Sequence, residues 1–201
     1  METPVQTATK CPVCQSPQRE VVRLGIRHNP GRPVYQCSLC GLQSIEPPAN
    51  VLGYYSSGQY RREHPGMVFP DRPVSPAERF TMHRPFMDER RDDPHVFWDK
   101  SWNVLEVGCS SGYFLDALKG RVGSLRGLEI DPAEFYFNEI NGRSVWTESL
   151  EEWAAMRPAD MLHDVVCAFD LLEHVADPLA FLGDMKAVLK PQGHIYLQVP
   201  N

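Results

Sequence analysis

Apolar and polar positions follow two regimes along this chain. From Ser101 onward, short apolar runs alternate with stretches of helical periodicity, whereas the first hundred residues carry brief apolar runs broken by proline, glycine and cysteine. Asn103-Val104-Leu105-Glu106-Val107 reads as a strand bearing one acid, and Gly108-Cys109-Ser110-Ser111-Gly112 as a turn of small residues. Phe114, Leu115 and Leu118 then recur at helical spacing, which predicts a helix from about Gly112 to Lys119. Further strands are predicted over 124–130, 144–146, 163–170 and 194–199. The segments between them open as helices. Asp131-Pro132-Ala133-Glu134 offers an N-cap, a proline at the first helical position and an acid at the third, and Ser149-Leu150-Glu151-Glu152 is a capping box. Asp177-Pro178 starts a helix with Leu182, Met185 and Leu189 on its apolar face and Lys186 and Lys190 in its last turn. Strand and helix in alternation imply an α/β fold with a mostly parallel sheet of five strands over residues 101–201.

Ahead of this region, Cys11-Pro12-Val13-Cys14 and Cys37-Ser38-Leu39-Cys40-Gly41 form two C-x-x-C knuckles separated by 22 residues. Each such turn presents two thiolates to one ion, and two turns complete the tetrahedral four-cysteine shell that zinc accepts. Val21–Leu24 and Pro33–Gln36 can pair as a hairpin across a turn at Pro30-Gly31, so residues 1–46 read as a zinc ribbon with Cys11, Cys14, Cys37 and Cys40 as ligands. A redox pair, a catalytic metal and a nucleic-acid finger are the functional alternatives. Four cysteines leave no open coordination position, which favours a structural staple. His28 lies in a polar turn and reads as solvated.

Residues 47–100 begin at Pro47-Pro48 and are rich in proline, arginine, histidine and aromatics without sustained periodicity, as a linker with short helices would be. Helices are predicted around 51–60 and 77–91, the second with Phe80, Arg84 and Met87 at helical spacing. Tyr54, Tyr55, Tyr60 and Arg61-Arg62 could form a lid over a ligand or join the flanking domains, and joining is the simpler role.

Composition narrows the partners. No apolar run approaches the roughly 18 residues that span a bilayer, and METPVQTATK lacks the apolar core of a secretory signal, so a cytoplasmic protein without a membrane partner is expected. Paired cysteines in a reducing compartment also suit metal better than disulfides. Residues 1–100 carry 13 Lys+Arg against 11 Asp+Glu, and residues 101–201 carry 7 against 15. A carboxyl half with a balance of −8 is a poor surface for a phosphate backbone, which argues against a nucleic-acid partner.

The small-residue turn by itself is compatible with a ligand cradle or a plain structural turn. As a cradle, Gly108 and Gly112 admit close backbone approach, and N–H groups at the helix start favour polar or anionic ligand groups. The acid Glu129 falls 23 residues after Glu106. An acid at about that distance accepts hydrogen bonds from ribose hydroxyls in dinucleotide-binding folds, whereas without the turn it would be an exposed carboxylate at a strand end. Glu148 and Ser149 fall at the end of the third strand, where ligands of open α/β sheets bind, although an N-cap requires Ser149 in any case.

Taken together, Leu105–Gly112, Gly127-Leu128-Glu129-Ile130-Asp131, Asp164-Val165-Val166 with Leu172-Glu173-His174-Val175, and Leu189-Lys190-Pro191-Gln192-Gly193 resemble the class I S-adenosylmethionine-dependent methyltransferases, which have a Rossmann-like fold. The cysteine knuckles ahead of such a core further resemble a subgroup that includes sugar C-methyltransferases of specialised metabolism. The resemblance implies that Glu106, Gly108, Ser110 and Gly112 shape the pocket for the methionine portion and ribose. It further implies that Glu129 holds the ribose hydroxyls, that Glu148 or Ser149 lies near the adenine, and that Phe169 and Asp170 line the cofactor. His174 is the histidine placed beside that site, as a base or substrate contact, or packing in a helical turn. Ser110 stands where many relatives have a glycine.

The implied activity is methyl transfer to a small molecule, such as a nucleotide-linked sugar. The alternative is a non-catalytic, zinc-stapled cofactor-binding module, and an RNA methyltransferase ranks lower on charge. The chain stops before the helix and antiparallel strand pair that complete the sheet in that family. Expectations therefore include a fragment, a homodimer through the exposed fifth strand, or loss of catalysis.

Overall fold

The computed structural model describes residues 10–26, 29–47, 50–63, 75–158 and 160–200, and His28, Pro48 and Asn201 lie outside them, as does the side chain of Arg61. The chain divides into two compact units, one of residues 1–51 with 175–180 and one of residues 52–174 with 181–201.

In the first unit, β1 (Arg19–Ile26), β2 (Asn29–Cys37) and β3 (Gln43–Ser44) form an antiparallel sheet in the order β1-β2-β3. Ile26 stands opposite Asn29, so Pro30-Gly31 lies inside β2 and is not the hairpin turn that the sequence suggests. Among the described residues of this sheet and its knuckles, the buried apolar side chains are Cys11, Val34, Tyr35 and Cys37, while Val21, Val22, Leu24 and Leu39 are exposed, Leu24 and Leu39 by 69% each. So little apolar burial does not hold a segment this small by itself. The four cysteine sulfurs lie within 4.8 Å of one another and fit a zinc ribbon.

The second unit takes in α1 (Val51–Ser56) from its second residue and then α2 (Gln59–Glu63), where the sequence predicts one helix. Gly58, with φ at +68°, separates them. In α3 (Pro76–Arg91), Ser75 caps the first turn, its hydroxyl accepting from the Glu78 N–H while the Glu78 carboxylate accepts from the Ser75 N–H. Pro76 at the first helical position needs no hydrogen-bond partner for its nitrogen.

Next come β4 (Asn103–Val107), α4 (Tyr113–Ala117), β5 (Ser124–Leu128), α5 (Pro132–Ile140), β6 (Val145–Trp146) and α6 (Leu150–Met156). They are followed by β7 (His163–Phe169), a 3-10 turn at Leu172–His174, α7 (Pro178–Ala187) and β8 (Leu189–Gln198). All five strands are parallel, in the order β6-β5-β4-β7-β8. The expected caps form: Asp131 accepts from the N–H groups of Ala133 and Glu134, and Ser149 with Glu152 makes a reciprocal capping box.

β8 starts five residues earlier than expected. His163 pairs with Leu189 and Val165 with His194, so the Lys190–Gly193 stretch bulges out of a continuing strand, with Gln192 at φ +67°. Lys190 therefore does not sit in the last turn of α7; it pairs with Asp164 at 2.7 Å. Glu129 and Ile130 fall just beyond β5 and belong to the loop.

Alternation along β4 divides the core. Leu105 and Val107 pack with Leu128, Trp153, Val166 and Met185. Val104 packs with Phe114, Leu118, Val165, Cys167 and Phe169, and the period of two puts Glu106 on that same side. β4 has β5 on one side and β7 on the other, so the strand order reverses there and opens a crevice at its carboxyl end.

His163 is fully buried at the start of β7, with Nδ1 3.2 Å from the Val188 carbonyl, and burial lowers its pKa to about 4. The unfolded ring binds its proton near 6.5, so this group contributes stability above that pH that is lost as pH falls toward 4. Urea unfolding is expected to lose this contribution between pH 6.5 and pH 4 relative to a His163→Gln variant.

Candidate functional site

At the crevice the chain leaves β4 through Gly108 and reaches α4 through Gly112, both with φ at +70°. Ser110 between them has φ at +46°, a left-handed conformation that explains why glycine suits this position and that costs a serine roughly 1–2 kcal/mol. The Gly108 and Cys109 N–H groups donate to the Leu128 carbonyl, Gly112 N–H to the Cys109 carbonyl, and Ser110 N–H to Glu129 Oε2 at 2.7 Å. Those four donors are thus engaged within the protein. Their part of the loop serves as a shaped wall and not as the anion-binding nest that the small residues suggest.

The loop is braced from behind. Glu129 accepts a second backbone bond, from Asp131 N–H at 2.8 Å. Asn138 is fully buried and its amide donates to the Ser110 and Glu134 carbonyls. Arg79 of α3 donates to Ser111 Oγ and to Glu134, whose carboxylate also accepts from Ser111.

In front of the loop lies a cavity of about 290 Å³. Its walls are Glu106 of β4, Gly108–Ser111 of the loop, Tyr113 and Phe114 of α4, Phe169 and Asp170 at the end of β7, and His83, Phe86, Met87 and Arg90 of α3. Glu106 is 4% exposed and one carboxylate oxygen, Oε2, has no hydrogen-bond partner among the described residues. Burial pushes its pKa up to about 8, Arg90 acting against this shift and Glu129 with it. The Arg90 guanidinium lies 4.4 Å over the Phe169 ring and donates to Asp170 at 2.6 Å and to Gln198. Cys109 and Cys167 are buried thiols whose pKa values burial, and then Glu106, raise well above the usual value.

Of the residues singled out from the sequence, Glu106, Gly108, Ser110, Phe169 and Asp170 line this cavity. Gly112 stands behind it against Asn138 and Arg143. Glu129 braces the loop, and Glu148 presents a buried Oε2 without a partner among the described residues, but neither lines the cavity. Ser149 is the cap of α6. His174 lies outside the cavity lining, in the 3-10 turn, with Nδ1 3.0 Å from the Tyr55 hydroxyl and Nε2 3.8 Å from Glu173. Tyr54, Tyr55 and Tyr60 pack edge-on or tilted against one another, with ring centroids 5.0–6.0 Å apart.

Sequence reasoning misses the contribution of α3. Its working stripe is Arg79, His83, Met87 and Arg90, spaced four, four and three residues apart. Arg84, which the apolar spacing selects, is instead exposed and pairs with Asp88. A stripe mixing arginine and histidine does not register as an apolar face, yet the spacing is present in the chain.

At the ribbon, backbone N–H groups of Cys40 and Leu39 directed at the Cys37 sulfur lower its pKa to about 6. The Ser16 N–H acts in the same sense on Cys14, but burial and the sulfurs of Cys37, Cys40 and Cys11 push Cys14 up to about 12. Crowded sulfurs of this kind suit a divalent cation that neutralises them.

Known proteins share this fold. Residues 74–201 match the family described as a methyltransferase domain. Among curated proteins, the chain is 30% identical over 103 residues to the ubiquinone biosynthesis O-methyltransferase of Vibrio vulnificus, covering 49% of this chain and 43% of that protein. It is 28% identical over 120 residues to the tRNA U34 carboxymethyltransferase of Alteromonas mediterranea, covering 52% and 34%. The chain spans less than half the length of these relatives. A solved structure, the complex between the Haloferax volcanii Trm112 methyltransferase activator and the putative methyltransferase, matches with a TM-score of 0.50 at 18% identity, covering 73% of this chain and 58% of that one. Together with the parallel sheet and the crevice at its reversal point, the match over residues 74–201 places this chain in the class I S-adenosylmethionine-dependent methyltransferases.

Proposed function

We propose that this chain binds S-adenosylmethionine in the cavity at the end of β4 and transfers its methyl group to a small-molecule acceptor. The observation that carries this reading is a buried carboxylate with an unpartnered oxygen, Glu106, sharing one cavity with a guanidinium, Arg90. An amino-acid head carries an ammonium and a carboxylate, and these two side chains match that pair of charges. Glu106 would take the ammonium and Arg90 the carboxylate. Gly108 and Ser110 would form the wall beneath, with Gly112 shaping it from behind, and Phe169 and Asp170 would line the far side. Glu129 remains the candidate for the ribose hydroxyls, and Glu148 the candidate for the adenine amino group.

When bound, the sulfonium supplies an electrophilic methyl group, so the protein has to orient an acceptor and accept a proton. His174 is our candidate for that proton. In that role its Nδ1–H donates to the Tyr55 oxygen and its Nε2 lone pair faces the acceptor. A nucleotide-linked sugar acceptor is supported by the resemblance of the four-cysteine segment to sugar C-methyltransferases, while the curated relatives are named for ubiquinone biosynthesis and for a tRNA position. The carboxyl-half balance of −8 keeps RNA the weaker reading. We also propose one zinc in the ribbon, with residues 1–46, 47–100 and 101–201 as ribbon, connecting segment and methyltransferase core.

Calorimetric titration with S-adenosylhomocysteine is expected to give one site per chain, and no heat or thermal shift at millimolar ligand would sink the cofactor reading. Mass-spectrometric detection of methylated sugar nucleotides separates an active enzyme from a binding module.

A further inference from the structure

Glu106 interrupts an otherwise apolar side of β4, between Val104 and the loop, with Cys167 of β7 as its register partner. The charged and titratable groups acting on it come from every element around it. They are Arg90 from α3 and Glu129 from the loop after β5; the thiols of Cys109 and Cys167 feel Glu106 in turn, and His83 and Asp170 stand on the same cavity wall. Arg90 is the cation acting on Glu106, and it is already committed to Asp170 at 2.6 Å and to Gln198. An ionised Glu106 would thus be a buried charge with an unsatisfied oxygen, beside a second acid, facing a guanidinium it shares with a third. Such a site favours the protonated acid until another cation arrives.

We infer that cofactor capture is a proton exchange: the ammonium of the amino-acid head takes its place against Glu106 as the proton on that carboxyl leaves for solvent. This rests on the reading of the cavity as the cofactor site. The balance is simple. The O–H bond of the Glu106 acid breaks, the electron pair stays on the carboxylate, one H⁺ goes to buffer, and the ammonium supplies the compensating charge. Binding therefore tightens with rising pH through the neutral range, and the raised pKa of the free carboxyl, about 8, agrees with this.

The test is calorimetry of S-adenosylhomocysteine at pH 7 in buffers of different ionisation enthalpy. For wild-type protein most of one proton is expected to leave per ligand bound, and affinity is expected to rise several-fold, up to roughly tenfold, per pH unit between pH 6 and pH 7.5. A Glu106→Gln variant is expected to release none and to bind weakly at every pH in that range. Methylthioadenosine, which lacks the amino-acid head, is expected to release none from wild-type protein. If the Gln variant does not fold, the wild-type contrast between the two ligands decides the matter. Binding of S-adenosylhomocysteine without proton release, or equal release with both ligands, overturns the exchange while leaving the cofactor site standing. No binding at all overturns the cofactor reading and the exchange with it.

Discussion

Replacing Gly112 by alanine is expected to cost about 3–5 kcal/mol of stability and to weaken S-adenosylhomocysteine binding by roughly two orders of magnitude. A Cβ at this position would lie 2.1 Å from Asn138 Oδ1 and 2.6 Å from Arg143 Cδ. Neither neighbour can retreat cheaply. Asn138 is fully buried and its amide holds the carbonyls of Ser110 and Glu134, while Arg143 is pinned to Asp116 at 2.6 Å. The left-handed φ adds roughly 1–2 kcal/mol for any L-residue, overpacking about 1–3 kcal/mol, and each displaced hydrogen bond about 1 kcal/mol. Because Asn138 holds the Ser110 carbonyl, its displacement reaches the wall of the cavity directly.

Gly142 provides the control. Its φ is +68° and no neighbouring atom lies within 4 Å of where an alanine methyl group would stand, so Gly142→Ala is expected to carry the conformational cost alone, about 1–2 kcal/mol, with binding unchanged. Urea unfolding and calorimetry on both variants check the pair. Equal losses at the two positions would show that the wall behind the loop yields, and that Gly112 matters only for its backbone angle.

Removal of metal from the ribbon is expected to unfold β1, β2 and β3 while the parallel sheet keeps its amide protection. Structural zinc at sites of this kind contributes about 10–16 kcal/mol, and the described residues of the first unit bury little apolar surface. Val21, Val22 and Leu24 of β1 are exposed to solvent, and the buried apolar set includes two of the four cysteines themselves. Metal analysis is expected to find one zinc per chain, and hydrogen exchange with and without a strong chelator follows the strands separately. A Cys37→Ser variant removes the thiol whose pKa the Cys40 and Leu39 N–H groups lower to about 6, and it is expected to reproduce the chelated state. Absence of metal, or strands that stay protected after chelation, would refute the four-cysteine assignment.

Several layers of this protein are legible in its sequence. The knuckle spacing announces the four-cysteine cluster, because a C-x-x-C turn places its two sulfurs by local geometry alone. Asp131 and Ser149 begin their helices as expected, since a cap is settled by a side chain and N–H groups two or three residues away. Ser75-Pro76 with Glu78 carries the same signal at α3, and it too is written locally. Even the parallel direction of the strands follows from alternation of strand and helix, through the handedness of parallel crossovers. Local rules also fail locally. The Pro30-Gly31 pair has a turn composition but lies within β2, and Lys190-Pro191-Gln192-Gly193 bulges from β8 without ending it. There the hydrogen bonds of a neighbouring strand outweigh the preference of two to four residues.

By itself, then, the sequence determined the zinc-type knuckles, the helix starts, the parallel α/β order and the family, all of which rest on interactions between near neighbours or on recurring patterns. The tertiary structure alone decided what surrounds Glu106. Arg90 reaches Asp170 across 80 positions and Arg79 reaches Glu134 across 55, and Asn138 closes behind Gly112 from another helix. None of those distances has a local signature, because a side chain's partners at that separation depend on how elements pack and not on what precedes or follows it. The burial that raises the Glu106 pKa is likewise a property of the folded sheet. The same acid in the same sequence would be an ordinary carboxylate on an open strand.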